Sequence, residues 1–170
     1  MKKVVRKTTL IVLAVFMLQL CLVSAAFAKN SLSPGETLAK DQKLTSTNGR
    51  FNLVMQSDGN LVLYRDGGIS MWSTNTDGKR YRWQDPISGY VITRMPQALT
   101  FNASSIRVTD QFRDYTFWSA NPQAWSNNYY QGKVPAGMVG EILVVQDDGN
   151  LVMYSSGGKG PMWASDTGGH

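Results

Sequence analysis

The stretch Gln56-Ser57-Asp58-Gly59-Asn60-Leu61-Val62-Leu63-Tyr64 returns almost unchanged as Gln146-Asp147-Asp148-Gly149-Asn150-Leu151-Val152-Met153-Tyr154. In both copies Gln, Asp, Asn, Val and Tyr stand at every second position. Side chains of an extended chain alternate faces with period two, so these five point the same way. The interleaved Leu61, Leu63, Leu151 and Met153 point the other way, into whatever lies beneath. Asp-Gly is a hairpin signal, because Gly accepts the positive φ that tight turns need. Each copy therefore predicts a hairpin displaying an amide, a carboxylate, an amide, a small apolar patch and a phenol. Such a surface suits a ligand rich in hydroxyls, since carboxylates accept, amides do both and a phenol does both.

The spacing Gln-x-Asp-x-Asn-x-Val-x-Tyr resembles the sugar-binding motif of the bulb-type, monocot mannose-binding lectins, and both copies match all five positions. Ser33-Pro34-Gly35-Glu36-Thr37-Leu38 resembles that family's opening strand, and Met71-Trp72-Ser73-Thr74-Asn75 the strand that follows each site. The resemblance implies that Gln56, Asp58 and Asn60 meet the 2- and 3-hydroxyls of mannose. It likewise implies that Tyr64 meets the 4-hydroxyl and that Val62 packs on the ring carbons. Gln146, Asp148, Asn150, Val152 and Tyr154 would do the same in the second copy. The residues alone do not choose mannose over another hexose; that choice comes from the resemblance.

Three further tryptophan settings reveal a repeat. Trp72, Trp118 and Trp163 stand in Met-Trp-Ser-Thr-Asn, Phe-Trp-Ser-Ala-Asn and Met-Trp-Ala-Ser-Asp, at separations of 46 and 45 residues. Counting back 16, 16 and 17 residues reaches Gln56, Asn102 and Gln146. The chain thus reads as three units, the middle one having lost its motif. Aligned on the tryptophans, Asn102 replaces Gln, Ser104 replaces Asp, Ile106 replaces Asn, Val108 is kept and Asp110 replaces Tyr. Ile106 cannot bond a hydroxyl, so the middle site reads as inactive.

Short runs of strand formers punctuated by Asp66-Gly67-Gly68 and Ser156-Gly157-Gly158, with no helical periodicity, predict an all-β class. Three units that cannot each bury an apolar face would close around a common axis. The resemblance implies the β-prism II fold: three antiparallel sheets around a pseudo-threefold axis, with one Trp per unit in the shared core. The connections 76–98 and 122–140 are long and carry Tyr81-Arg82-Trp83 and Trp125-Ser126-Asn127-Asn128-Tyr129-Tyr130. They read as segments folded down over the prism. As exposed aromatics beside amides they would instead widen the sugar site or bind a partner.

Residues 1–28 read as a signal peptide: Lys2, Lys3, Arg6 and Lys7, then an apolar run over 10–23, then Ala26-Phe27-Ala28. The run is short for a membrane span and has no basic stop-transfer flank. Its removal would leave one domain, 29–170, with 13 Lys and Arg (17 less those four) against 12 Asp and Glu. The basic balance therefore belongs largely to the leader, and no basic cluster remains to neutralise nucleic-acid phosphates. The only cysteine, Cys21, falls in the leader, so the mature domain forms no disulfide. The plain leader and the lack of thiols point to a bacterial, secreted member of the resembled family.

With the leader set aside, one histidine, His170, and no cysteine exclude triads and most metal sites, so neither an enzyme nor a cofactor is expected. Asp147-Asp148-Gly149-Asn150 lacks the spacing and the distant Glu of a calcium loop. The alternatives are a secreted antibacterial protein of the lectin-like bacteriocin kind and, less favoured, a glycosidase. The former resembles this chain but commonly carries two such domains. The resemblance also implies that residues 163–170 can support a homodimer by strand exchange.

Overall fold

The computed structural model describes residues 29–170, so the expected leader lies outside the described residues. The chain forms three four-stranded antiparallel sheets, one per repeat. The first holds β3 (Lys43–Thr45), β4 (Phe51–Met55), β5 (Leu61–Arg65) and β6 (Ile69–Ser73). The second runs in the order β11 (Thr116–Ser119), β10 (Ser105–Thr109), β9 (Ala98–Asn102), β2 (Thr37–Ala39). The third holds β1 (Ser31–Leu32), β12 (Gly140–Val145), β13 (Leu151–Ser155) and β14 (Pro161–Ala164).

Each repeat supplies three strands of its sheet, and the fourth comes from the N-terminal segment. β1 pairs with β12, β2 with β9 and β3 with β4, so residues 31–45 visit all three sheets. Of residues 33–38, expected as the opening strand, only Thr37 and Leu38 are extended, in β2; residues 33–36 form the turn between β1 and β2, closed by Glu36 N–H donating to the Ser33 carbonyl at 3.0 Å. Gly35 adopts φ +91° there, a conformation costly for a residue with a Cβ.

Period-two patterning places the core. Leu61, Leu63, Leu151 and Met153 are fully buried, as are Phe51, Leu53 and Met55 on β4 and Leu143 and Val145 on β12. Leu99, Ile106 and Val108 supply the middle repeat's share. Each such side chain contributes roughly 1.5–3 kcal/mol by leaving water. At the centre the three indoles meet edge to face: Trp72 and Trp118 at 5.4 Å, Trp72 and Trp163 at 5.9 Å, Trp118 and Trp163 at 6.1 Å. Their opposed face and edge charges favour this T-shaped contact. The expectation of one Trp per unit in a shared core therefore holds.

The strand register corrects the alignment of the middle unit. Leu63, Val108 and Met153 stand opposite Trp72, Trp118 and Trp163. Seven residues lead from Gln56 to Leu63, but only six from Asn102 to Val108, because the middle hairpin turns through Ala103 and Ser104 alone. An extra residue before Trp118 hides the deletion when one counts back from the indole. Ser105 rather than Ile106 takes the place of Asn60, Arg107 that of Val62 and Thr109 that of Tyr64. Ile106 is a core residue.

The two connections behave differently from each other. Residues 122–140 fold down as expected, but they include a helix, α1 (Pro122–Tyr129), that the absence of periodicity had argued against. Asn121 caps it, its side chain accepting from the Ala124 N–H at 2.9 Å, and Pro122 starts the first turn. Trp125 packs on the core and donates its indole N–H to Asp166. Residues 76–98 instead form a separate hairpin, β7 (Tyr81–Gln84) with β8 (Val91–Arg94), whose tip residue Ile87 is 96% exposed.

Candidate functional site

Both intact copies form the expected hairpins, and their polar side chains gather at one end. In the first, Gln56 N–H donates to the Asn60 carbonyl at 2.8 Å and closes the turn. Asp58 Oδ1 accepts from Asn60 N–H at 2.8 Å, pinning the carboxylate across the tip. Asn60 Oδ1 accepts from Thr74 Oγ1 and Thr76 N–H, both at 3.2 Å. Thr76 Oγ1 donates to the Gly59 carbonyl at 2.7 Å. Gln56 Nε2 bonds Tyr64 Oη at 2.8 Å, and this bridge runs diagonally past Val62, which is 2% exposed.

The second copy reproduces every one of these contacts. Gln146 N–H meets the Asn150 carbonyl at 2.8 Å, and Asp148 Oδ1 accepts from Asn150 N–H at 3.0 Å. Asn150 Oδ1 accepts from Ser165 Oγ at 3.0 Å and Thr167 N–H at 3.3 Å, while Thr167 Oγ1 donates to the Gly149 carbonyl at 2.7 Å. Gln146 Nε2 bonds Tyr154 Oη at 2.9 Å past Val152, which is 3% exposed. The valines are thus nearly covered, leaving only a thin strip for the apolar contact expected of them.

What these bonds leave uncommitted is the same set in each copy. Asp58 Oδ2 and Gln56 Oε1 can accept, while Asn60 Nδ2 and the Tyr64 hydroxyl can donate. Asp148, Gln146, Asn150 and Tyr154 leave the matching atoms. A pair of adjacent hydroxyls, each donating once and accepting once, is complementary to that arrangement. Asp58 and Asp148 are exposed, and the Gln, Asn and Tyr of each copy are half-buried, so all remain within reach of a solute.

The positioning residues Thr74, Thr76, Ser165 and Thr167 were not anticipated, although the sequence carries their signal. Hydroxyls stand two and four places after Trp72 and Trp163, whereas Ala120 and Pro122 follow Trp118. The middle unit therefore lacks both the Gln-x-Asp-x-Asn-x-Val-x-Tyr pattern and the hydroxyls that hold its Asn in the other two. Its Asn102 side chain is spent inside its own turn, accepting from Ser104 N–H at 3.1 Å and Ser105 N–H at 2.9 Å. Asp110, expected in the place of Tyr, is buried and pairs with Arg94. Burial opposes its ionisation, but the Tyr115 and Asp114 N–H groups and Arg94 outweigh this and hold its carboxyl below the usual range.

The second intact hairpin is also gripped from the first repeat. Thr47 Oγ1 and Asn48 N–H both donate to the Asp147 carboxylate at 2.8 Å, which lowers its pKa, the Asn48 backbone contributing most. A Cβ on Gly149 would lie 2.6 Å from Phe51 Cε1, so only glycine permits this close approach. Among the described residues there is no group of three or more His, Cys, Asp or Glu able to hold a metal ion, and no helix long and apolar enough to cross a membrane.

No family model matches the chain. Among curated proteins it is similar to mannose-specific lectin 2 of Colocasia esculenta, with 33% identity over 128 residues that make up 75% of this chain. The chain spans only 38% of that relative's length. It is also similar to a mannose-specific lectin of Aloe arborescens, with 26% identity across 82% of this chain and 98% of the relative. Among solved structures, a monomeric monocot mannose-binding lectin from Gastrodia elata aligns at TM-score 0.57 and 22% identity, over 82% of this chain and 99% of that one. A lectin from Allium sativum aligns at TM-score 0.50 and 26% identity, over 75% and 95%. The fold is the β-prism II fold of these neighbours.

Proposed function

We propose that this chain is a carbohydrate-binding protein, not an enzyme, that holds mannose or mannose-rich glycans at Gln56–Tyr64 and Gln146–Tyr154. The observation that carries the reading is the coincidence of the two hydrogen-bond networks, which leave the same donors and acceptors free in both hairpins. The mannose-specific names of the similar proteins support the choice of sugar. Each neutral hydrogen bond nets roughly 0.5–1.5 kcal/mol. Four or five, less the ordering cost, leave ~4 kcal/mol, or about millimolar binding. One site is too weak for a useful task, so the protein acts by engaging clustered glycans through both sites at once. A homodimer would double the number of sites. The expected leader over 1–28 makes it a secreted protein, and the leader's composition favours a bacterial source.

The test is retention of residues 29–170 on immobilised mannose with elution by free mannose. Asp58→Ala and Asp148→Ala should each weaken retention and together nearly abolish it, without unfolding the protein. A double variant retained as well as the parent would place the ligand elsewhere.

A further inference from the structure

The hairpin β7–β8 stands on the tip of the first site, and among the described residues no such hairpin stands on the second. Its two feet rest on that tip: Gly78 N–H donates to the Asp58 carbonyl at 3.1 Å, and Pro96 lies where a Cβ on Gly59 would come within 3.1 Å. Tyr81 follows Gly78 by three residues, Arg94 precedes Pro96 by two, and the two pair across the hairpin. At roughly 3.3–3.6 Å per residue, the base of the hairpin lies within about 11 Å of the two feet that touch the Asp58-Gly59 tip. At the second copy the corresponding bond runs from Gly169 N–H to the Asp148 carbonyl at 3.1 Å.

One face of this hairpin and the loop before β11 enclose a cleft of about 330 Å³, lined by Tyr81, Trp83, Ile92, Arg94, Asp114 and Tyr115. That volume is near the lower end of the range typical for ligand sites, about 300–1,000 Å³. The cleft is braced. Tyr81 stacks on Tyr115 at 4.0 Å, and Arg94 pairs with both Asp110 and Asp114, the latter at 3.1 Å. Trp83 is nonetheless 41% exposed, although burying an indole would be favourable. An exposed indole beside a carboxylate and a guanidinium offers an apolar plate for C–H groups and polar groups for hydroxyls. A pyranose ring presents both.

We propose that this cleft is a second sugar subsite, taking the neighbouring hexose of an oligosaccharide whose first mannose sits at Gln56–Tyr64. The inference rests on the sugar-binding reading of that site and adds to it. It makes the first site a reader of an oligosaccharide rather than of a single residue.

The test compares methyl α-mannoside with a linear α-linked mannotriose by calorimetry or ligand-observed NMR. With the second site disabled by Asp148→Ala, the trisaccharide should bind about tenfold tighter than the monosaccharide. Adding Trp83→Ala should remove that preference and leave monosaccharide affinity unchanged, while Trp83→Phe should restore most of it. The Asp58→Ala protein, working through the second site alone, should show no such preference. Equal affinity for both sugars in Asp148→Ala, or a preference that survives Trp83→Ala, overturns the subsite and leaves the parent reading intact. Failure of the unsubstituted protein to bind either sugar refutes the parent reading itself.

Discussion

Gly59 and Gly149 occupy the same place in the two intact hairpins, at φ +94° and +89°. Alanine at either must adopt a left-handed conformation, which costs about 1–2 kcal/mol. That penalty is common to both, so their difference isolates what the new methyl meets. At Gly59 the methyl comes 3.1 Å from Pro96, which must give by a few tenths of an ångström. At Gly149 it comes 2.6 Å from Phe51 Cε1 and 3.0 Å from Met71 Cε. Phe51 is wholly buried beneath the first repeat and has no free space to swing into. Overpacking of that kind adds roughly 1–3 kcal/mol. In a domain of this size each kcal/mol lowers the melting temperature by about 2–4 °C. Gly149→Ala should therefore melt roughly 2–12 °C below Gly59→Ala when both are scanned by calorimetry. Equal melting temperatures, or a lower one for Gly59→Ala, would refute the claim that the second hairpin is seated directly on the first repeat's core.

Trp118→Ala should cost about 3–5 kcal/mol by urea denaturation, although its unit carries no sugar motif, because its indole abuts both other tryptophans; Tyr90→Ala, at an exposed position, should cost almost nothing. Asp147 has a lowered pKa, so its contribution to stability is present above the unfolded carboxyl value of about 3.9 and is lost as pH falls through the lower folded one. Asp147→Ala should accordingly flatten the acid limb of the stability profile, read as melting temperature between pH 5 and pH 2.

The outer ladders were legible because a period of two is unambiguous when Gln, Asp, Asn, Val and Tyr repeat twice in one register. The tryptophan centre was legible because three indoles share one local context. The middle hairpin was not, since its missing residue is offset by one added before Trp118, and counting from the indole cannot see two compensating changes. The helix at Pro122–Tyr129 is too short for periodicity to reveal, although Asn121-Pro122 is a start signal in its own right. Thr74, Thr76, Ser165 and Thr167 are not read from the linear chain because they hold Asn60 and Asn150 from just beyond β6 and β14, a relation that only the folded chain displays.

The lacing of residues 31–45 through all three sheets bears on how the protein is made. Ser31 pairs with Val144, a partner 113 positions downstream, while β2 waits for β9 and β3 for β4. On the ribosome these strands emerge ahead of their partners, and the third sheet cannot be completed until Pro161–Ala164 is out. Such distant pairing makes the loop-closure cost fall before the reward arrives, which slows the final step. Trimming residues 29–45 would accordingly strip an edge from every sheet at once, and the nascent chain is at its most aggregation-prone while those edges stand unfilled.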